Sequence, residues 1–246
     1  DNLSDRVAHE YAVINSLLDT LQKRPIRYWN YVPGIVDPVG AGLDRYMAFN
    51  RGRYAAFAAS PDVANGGEAS VPTASAIGIG GQDLVIECVA STSGGLAIEN
   101  PRQVASWRYS RRYGPRPPLF ARGTQTILDG HPVLLLGGTA SIVGEESRHP
   151  GNLEAQVTEV LINMEALIAS AGVCARGALE RLTDVRIYVV NADDAELVEA
   201  AILSRVGRRI RAESAVSRVC RPELLVEVEG VARLPGDRTT RPDAGM

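Results

Sequence analysis

The sequence between residues 121 and 140 reads ARGTQTILDGHPVLLLGGTA and predicts a β-hairpin. Two β-rich runs, residues 121–128 and 133–140, flank the dipeptide Asp129-Gly130. This dipeptide favours the left-handed backbone conformation that a two-residue hairpin turn requires. We therefore expect two adjacent antiparallel strands at this place in the chain.

The residues that follow the hairpin predict helices and strands in alternation. Asn152 is placed to cap a helix whose apolar residues recur at helical spacing from Leu153 to Ile168, and Gly172 marks its end. Further runs predict a strand over residues 185–190, a helix over 195–204, and strands over 214–219 and 224–231. This order is typical of an α+β domain in which a mixed sheet carries helices on one face.

The first half of the chain predicts a smaller α+β unit. Ser4 is placed to cap a helix that ends before Pro25, and a second helix is expected over residues 44–58. Strands are expected over residues 26–32, 71–79 and 84–90, and a polar loop over 60–69. We divide the chain into an α+β domain over residues 1–120, a second domain over 121–235, and a tail over 236–246 that is expected to be disordered.

The composition favours a soluble globular protein. The chain of 246 residues is 45% hydrophobic and 22% charged, and it contains neither a membrane-length apolar run nor a signal peptide. We therefore expect a cytoplasmic protein without a membrane partner. Its three cysteines form no C-x-x-C pair and its three histidines are scattered, so we expect neither a metal site nor a disulfide framework.

Five arginines lie among tyrosines and prolines between residues 106 and 122, although the formal net charge of the chain is -3. Arginine and tyrosine in this arrangement can bind carboxylates. They can also contact nucleic acid, but the sequence pI of about 5.7 and the lack of a recognised motif argue against that. Surface exposure is the favoured interpretation for four arginines: Arg102, Arg108, Arg111 and Arg112.

Glu227 and Glu229 alternate along the last expected strand, so their side chains lie on the same face. A carboxyl group that points inward among leucines and valines has a raised pKa, which suits it to act as a general acid. The alternative is that both glutamates lie on the exposed face of an edge strand.

The second half of the chain resembles the RidA/YjgF-like (chorismate-mutase-like) fold of the reactive-intermediate deaminases. The segments that carry this resemblance are residues 132–142, 152–157, 182–190 and 225–232. The resemblance covers residues 121–235 and implies a mixed sheet with helices on one face. We expect the N-terminal α+β domain to be a related or degenerate version. Deaminases of this kind bind the substrate carboxylate through an arginine, where this chain has Glu213. An imine deaminase is therefore disfavoured.

The chain also resembles members of the chorismatase family. The resemblance lies in residues 28–33, 42–53 and 113–118, and in Cys220 and Glu227. The resemblance implies cleavage of chorismate, with release of pyruvate and either a dihydroxycyclohexadiene carboxylate or a hydroxybenzoate. It implies no cofactor, and it suggests that a natural N-terminal segment precedes residue 1. A hydrolytic chorismatase and a non-catalytic binder of carboxylates remain alternatives, and an oligomer is possible.

The chorismatase resemblance also assigns roles to individual residues. Glu227 would protonate the enolpyruvyl methylene, and Cys220 would assist the aromatisation that gives 3-hydroxybenzoate. Gly138 would leave room for the substrate ring. The residues implied in substrate binding are Arg45, Tyr46, Gln103, Tyr109, Tyr113, Arg122 and Gly138.

Overall fold

The structure is a computed structural model that describes residues 2–58, 71–207 and 210–236. The loop expected over residues 60–69 and the tail expected beyond residue 236 lie outside these ranges. The helices are α1 Leu3–Thr20, α2 Arg45–Ala58, α3 Leu153–Ser170 and α4 Ala195–Val206. The strands are β1 Arg24–Pro33, β2 Pro38–Gly40, β3 Leu43–Asp44, β4 Thr73–Ile79, β5 Val85–Ser91, β6 Leu96–Ile98, β7 Gly123–Leu128, β8 His131–Ala140, β9 Ile142–Val143, β10 Glu146–Ser147, β11 Leu182–Val189, β12 Arg211–Val216 and β13 Val226–Arg233.

A mixed sheet forms the larger part of the described fold, with the strand order β12-β11-β13-β8-β7-β6. Only the β11–β12 pair in this sheet is parallel within the described residues. Helices α3 and α4 cover one face, where Leu161, Met164 and Ile202 pack against Val226 and Val228. The expected α+β class with helices on one face is confirmed. The sheet includes β6, which lies upstream of the boundary expected at residue 121.

The hairpin formed by β7 and β8 confirms the turn expected at Asp129 and Gly130. Both residues have positive φ angles, 49° and 77°, and Leu128 pairs with His131 across the turn. Further along β8 the register against β13 shifts, because Thr139 pairs with Val228 whereas Leu136 pairs with Gly230. Residues 137 and 138 thus lie opposite the single residue 229, and this β-bulge re-aims the side chains beside it.

The N-terminal half forms a three-stranded sheet in the order β4-β1-β5. Strand β1 runs parallel to β4 after the crossover through α2, and antiparallel to β5. The unit β11-α4-β12-β13 has the same pairing, and both units shift register near the start of their first strand. This likeness supports the expectation that the two halves are related.

Helices α1 and α2 cover the small sheet through the aromatic residues Tyr11, Tyr28, Phe49 and Phe57. Ser4 does not cap α1, because the helix already begins at Leu3, and the prediction was wrong on this point. The other face of the small sheet meets the large one, where β4 packs against β8.

Candidate active site

A cavity of about 240 Å³ lies where the two sheets meet. Helix α2 and strand β4 supply one wall, and β8, β13 and the segment at residues 220–223 supply the opposite wall. The arginine-rich segment over residues 106–122 closes the side. This volume suits one small molecule. Seven of the expected site residues line the cavity: Tyr46, Tyr109, Tyr113, Arg122, Gly138, Cys220 and Glu227.

Glu227 is the buried carboxyl group of the cavity, with 4% of its surface exposed. Strand β13 lies between β11 and β8, so the alternative of an exposed edge strand is wrong. Burial raises the pKa of Glu227 to about 8, and the negative charge of Glu229 adds to this effect. The charges of Arg27 and Arg122 act in the opposite direction. Glu227 is therefore mainly protonated at neutral pH and can donate a proton.

Gly138 lies directly against the carboxyl group of Glu227. A Cβ atom at position 138 would overlap Oε1 and Cδ of Glu227, and it would lie 3.1 Å from Oγ of Ser75. The chorismatase resemblance implies that Gly138 leaves room for a substrate ring. In the structure, the carboxyl group of Glu227 occupies the space beside Gly138. The absence of a side chain at position 138 therefore allows Glu227 to be buried there.

Cys220 lines the cavity near Glu227. Burial, together with the negative charge of the nearby Glu227, raises the pKa of its thiol to about 12, and Arg221 opposes the shift. The residue is partly buried. Cys220 is thus a neutral thiol, which can donate a proton but is a poor nucleophile in this state.

The arginine-rich segment contributes a cationic and aromatic wall. Nη2 of Arg122 donates hydrogen bonds to the hydroxyl of Tyr109 at 2.6 Å and to the carbonyl of Val104 at 3.0 Å. The guanidinium of Arg221 lies 3.9 Å from the ring centroid of Tyr113. Nε of Arg122 and the hydroxyl of Tyr113 are buried without a partner in the described part of the chain. Both groups can therefore donate to a bound anion.

A second set of donors comes from helix α2 and was not identified from the sequence. Asn50 and Arg53 are each 2% exposed and line the cavity one helical turn apart. Three buried N–H groups on these two side chains have no hydrogen-bond partner within the described part of the chain: Nδ2 of Asn50, and Nε and Nη2 of Arg53. A buried guanidinium with unused N–H groups is able to bind an anion, because a negatively charged acceptor would satisfy those groups. The Asn-x-x-Arg spacing on a helix was the available signal.

Tyr46 belongs to the same wall, since it lines the cavity beside Asn50. Burial raises the pKa of its hydroxyl well above the usual value, so it remains a neutral phenol.

Two expected binding residues do not line the cavity. Nε of Arg45 donates a hydrogen bond at 2.6 Å to the carbonyl of Pro33, the last residue of β1. The Arg45 side chain is therefore directed toward β1 and not into the cavity. Nε2 of Gln103 donates to the carbonyl of Ile142 at 3.1 Å. Because Ile142 lines the cavity, Gln103 supports the wall from behind.

The remaining arginines of the segment are exposed, as expected for Arg108 and Arg111. Arg112 is 63% exposed and forms an ion pair with Glu146 at 2.6 Å, although it also reaches the cavity rim. Arg102 differs, because it is partly buried and pairs with Glu159 at 2.6 Å.

No group of three or more histidine, cysteine, aspartate or glutamate side chains in the described ranges is arranged to hold a metal ion. None of the described helices combines the length and the apolar character needed to cross a bilayer.

Comparison with known proteins identifies relatives along most of the chain. A family model described as chorismatase FkbO/Hyg5-like, N-terminal, matches residues 1–90. A 3-hydroxybenzoate synthase from Streptomyces hygroscopicus is 34% identical over 215 residues, which are 83% of this chain and 62% of that protein. A chorismatase from Streptomyces rapamycinicus is 33% identical over 230 residues, which are 90% of this chain and 68% of that protein.

A solved chorismatase structure superposes with a TM-score of 0.82 at 30% sequence identity. The match covers 93% of this chain and 70% of that structure. The chain spans between 60% and 68% of the length of the curated relatives that it matches.

Proposed function

The chain belongs to the chorismatase family, and on that premise we propose that it cleaves chorismate to pyruvate and 3-hydroxybenzoate. The observation that carries this proposal is the buried carboxyl group of Glu227, whose pKa is raised to about 8, in a cavity with cationic donors on two walls. The relative named 3-hydroxybenzoate synthase supports the choice of product.

Chorismate carries two carboxylates, one on the ring and one on the enolpyruvyl arm, and the cavity offers two receptors. Arg53 and Asn50 form the receptor on α2, and Arg122 with Tyr113 forms the receptor on the arginine-rich segment. Each receptor has buried N–H or O–H donors that a carboxylate would satisfy, which favours binding because an unsatisfied buried donor is costly. A substrate bridging both receptors would lie across Glu227.

The first chemical step is protonation of the terminal methylene carbon of the enol ether by Glu227. This produces an oxocarbenium ion and leaves Glu227 as a carboxylate. The ring hydroxyl then attacks the ring carbon that bears the ether oxygen, the bond between that carbon and oxygen breaks, and pyruvate leaves. Glu227 takes up the hydroxyl proton, so the acid is restored and the ring product is an arene oxide.

The second step is the isomerisation of the arene oxide to 3-hydroxybenzoate. The neutral thiol of Cys220 donates its proton to the epoxide oxygen as one carbon–oxygen bond opens. The thiolate then takes up the proton lost from the ring carbon, which restores both the aromatic ring and the neutral thiol of Cys220. Pyruvate and 3-hydroxybenzoate together contain the same atoms as chorismate, so this route consumes no water.

The test is to incubate the protein with chorismate in isotope-labelled water and to separate the products by chromatography. We expect equimolar pyruvate and 3-hydroxybenzoate, with no solvent oxygen in the aromatic product. A dihydroxycyclohexadiene carboxylate as the ring product would replace the proposal with a hydrolytic chorismatase, in which water adds to the oxocarbenium carbon and the solvent oxygen enters pyruvate. If carboxylates stabilise the fold but no pyruvate forms, the protein is a binder.

Glu227→Gln serves as the control for this assay, because the amide keeps the shape of the side chain and cannot donate the required proton. We expect the variant to lose about 100-fold or more in turnover. Full activity of Glu227→Gln would remove Glu227 from the mechanism.

A further inference from the structure

Glu229 lies two residues beyond Glu227 on β13 and is buried to the same extent, but it has four hydrogen-bond donors. Oε2 accepts from Nη2 of Arg27 at 2.6 Å and from Oγ of Ser75 at 2.5 Å. Oε1 accepts from Nε1 of Trp29 at 2.7 Å and from the hydroxyl of Tyr188 at 3.2 Å. These donors come from three different strands, β1, β4 and β11.

This arrangement suits Glu229 as the carboxylate partner of the buried Arg27 ion pair. Nη2 of Arg27 and Nε1 of Trp29 can only donate, so each oxygen of Glu229 accepts at least one hydrogen bond from an N–H group. A carboxylate that accepts several N–H and O–H hydrogen bonds is stabilised as an anion. Nη1 of Arg186 lies a further 3.8 Å from Oε1 and adds positive charge.

Glu227 has the opposite surroundings. The described residues supply its carboxyl group with no hydrogen-bond donor, and the charged or titratable groups around it are Arg27 from β1, Arg122 before β7, Cys220 and Glu229. Two adjacent buried carboxylates cannot both ionise at low cost, so the pair retains one proton.

We propose that Glu229 is a positioning residue for the acid, because its carboxylate, held in the buried ion pair with Arg27, disfavours a second negative charge on the neighbouring Glu227 and so keeps a proton there. The inference rests on the proposed role of Glu227 as the proton donor. Ser75 makes the connection physical, since it lines the cavity and also bonds to both Glu229 and Arg27. The direction of the shift at Glu227 agrees, as the charge of Glu229 is the main electrostatic contribution that raises its pKa.

The experiment is the pH dependence of kcat/KM for pyruvate release by the wild type, Glu229→Gln and the double variant Arg27→Met with Glu229→Gln. The wild type should lose activity as the pH rises through about 8, where Glu227 ionises. In Glu229→Gln this loss of activity should occur at a pH lower by about one unit or more. The reason is that the positive charge of Arg27 is then no longer offset by a carboxylate and favours ionisation of Glu227. The double variant should show a smaller shift in the same direction.

The double variant also protects the test against misfolding, because it removes both charges of the buried pair and leaves none unpaired. Glu213→Gln is the matched control, since Glu213 is 66% exposed and pairs with Arg186 on the same sheet. Glu213→Gln should leave unchanged the pH at which activity is lost. An unchanged pH of activity loss in a folded double variant would overturn the proposal.

A second measurement separates this inference from the proposed function. The loss of unfolding free energy between pH 6 and pH 9 reports the ionisation of Glu227 without any substrate, and it should be smaller in the double variant than in the wild type. If chorismate is not cleaved but this difference is present, the proposed function fails and the coupling of the two carboxyl groups stands. If the difference is absent, the coupling is refuted.

Discussion

Replacement of Glu227 by glutamine should change how the stability of the fold depends on pH. The pKa of Glu227 rises from 4.5 to about 8 on folding, so the folded protein holds this proton more tightly than the unfolded chain does. The proton stabilises the fold fully below pH 4.5, and this contribution is lost as the pH rises to about 8. Glutamine does not titrate, so the variant lacks this loss.

The size of the effect follows from the width of the titration. Between pH 6 and pH 8 the unfolded state is ionised and the folded state is not, so each pH unit removes about 1.4 kcal/mol of unfolding free energy. The wild type should therefore lose about 2 to 3 kcal/mol more than Glu227→Gln between pH 6 and pH 9.

Urea unfolding followed by circular dichroism at the two pH values measures this difference directly. Other titrating groups affect both proteins alike and cancel in the comparison. Equal losses in the wild type and in Glu227→Gln would show that Glu227 is already ionised at pH 6, and the argument for a protonated acid would collapse.

Four further predictions concern the cavity. Gly138→Ala should reduce turnover by about 100-fold by displacing the acid, whereas Gly80→Ala, where no atom lies within 4 Å, should be neutral in the same steady-state assay. Cys220→Ala should still release pyruvate but should lose 3-hydroxybenzoate as the ring product; an unchanged product by chromatography would exclude its role. Arg53→Lys should raise KM about tenfold or more with a smaller change in kcat, because lysine cannot form the bidentate pair; an unchanged KM would exclude a substrate contact. Iodoacetamide at pH 8 should modify the exposed Cys174 well before Cys220, whose pKa is about 12, and mass spectrometry of tryptic peptides would reveal the reverse order if burial does not control the thiol.

Local signals allowed much of the fold to be predicted from the sequence. The turn at Asp129 and Gly130 and the cap at Asn152, which accepts a hydrogen bond from the N–H of Ala155 at 3.0 Å, depend on residues close together in the chain. The same is true of the long amphipathic helix α3. Strand β6 was missed because its three residues are too few to establish a period.

The site was harder to predict because its important contacts join distant residues. The contact between Gly138 and Glu227 depends on the bulge in β8, which the alternation of side chains cannot reveal. Helix α2 contains three arginines, and the sequence does not distinguish Arg53 from the other two. Its guanidinium lies over the rings of Tyr11 and Phe57, and the contact with Tyr11 forms only when α1 packs on α2. The family resemblance implies Arg45, two turns earlier on the same helix, but the side chain of Arg45 donates to the carbonyl of Pro33.

The ion pair of Arg27 with Glu229 sets an order of events during synthesis on the ribosome. The two residues are 202 positions apart, so Arg27 emerges long before its carboxylate partner. At about 5 to 20 residues per second the interval is about 10 to 40 s. Throughout that time the first sheet can form, but its central strand carries a guanidinium that must stay in water. The surface that becomes the cavity is therefore completed only when the last strand leaves the exit tunnel.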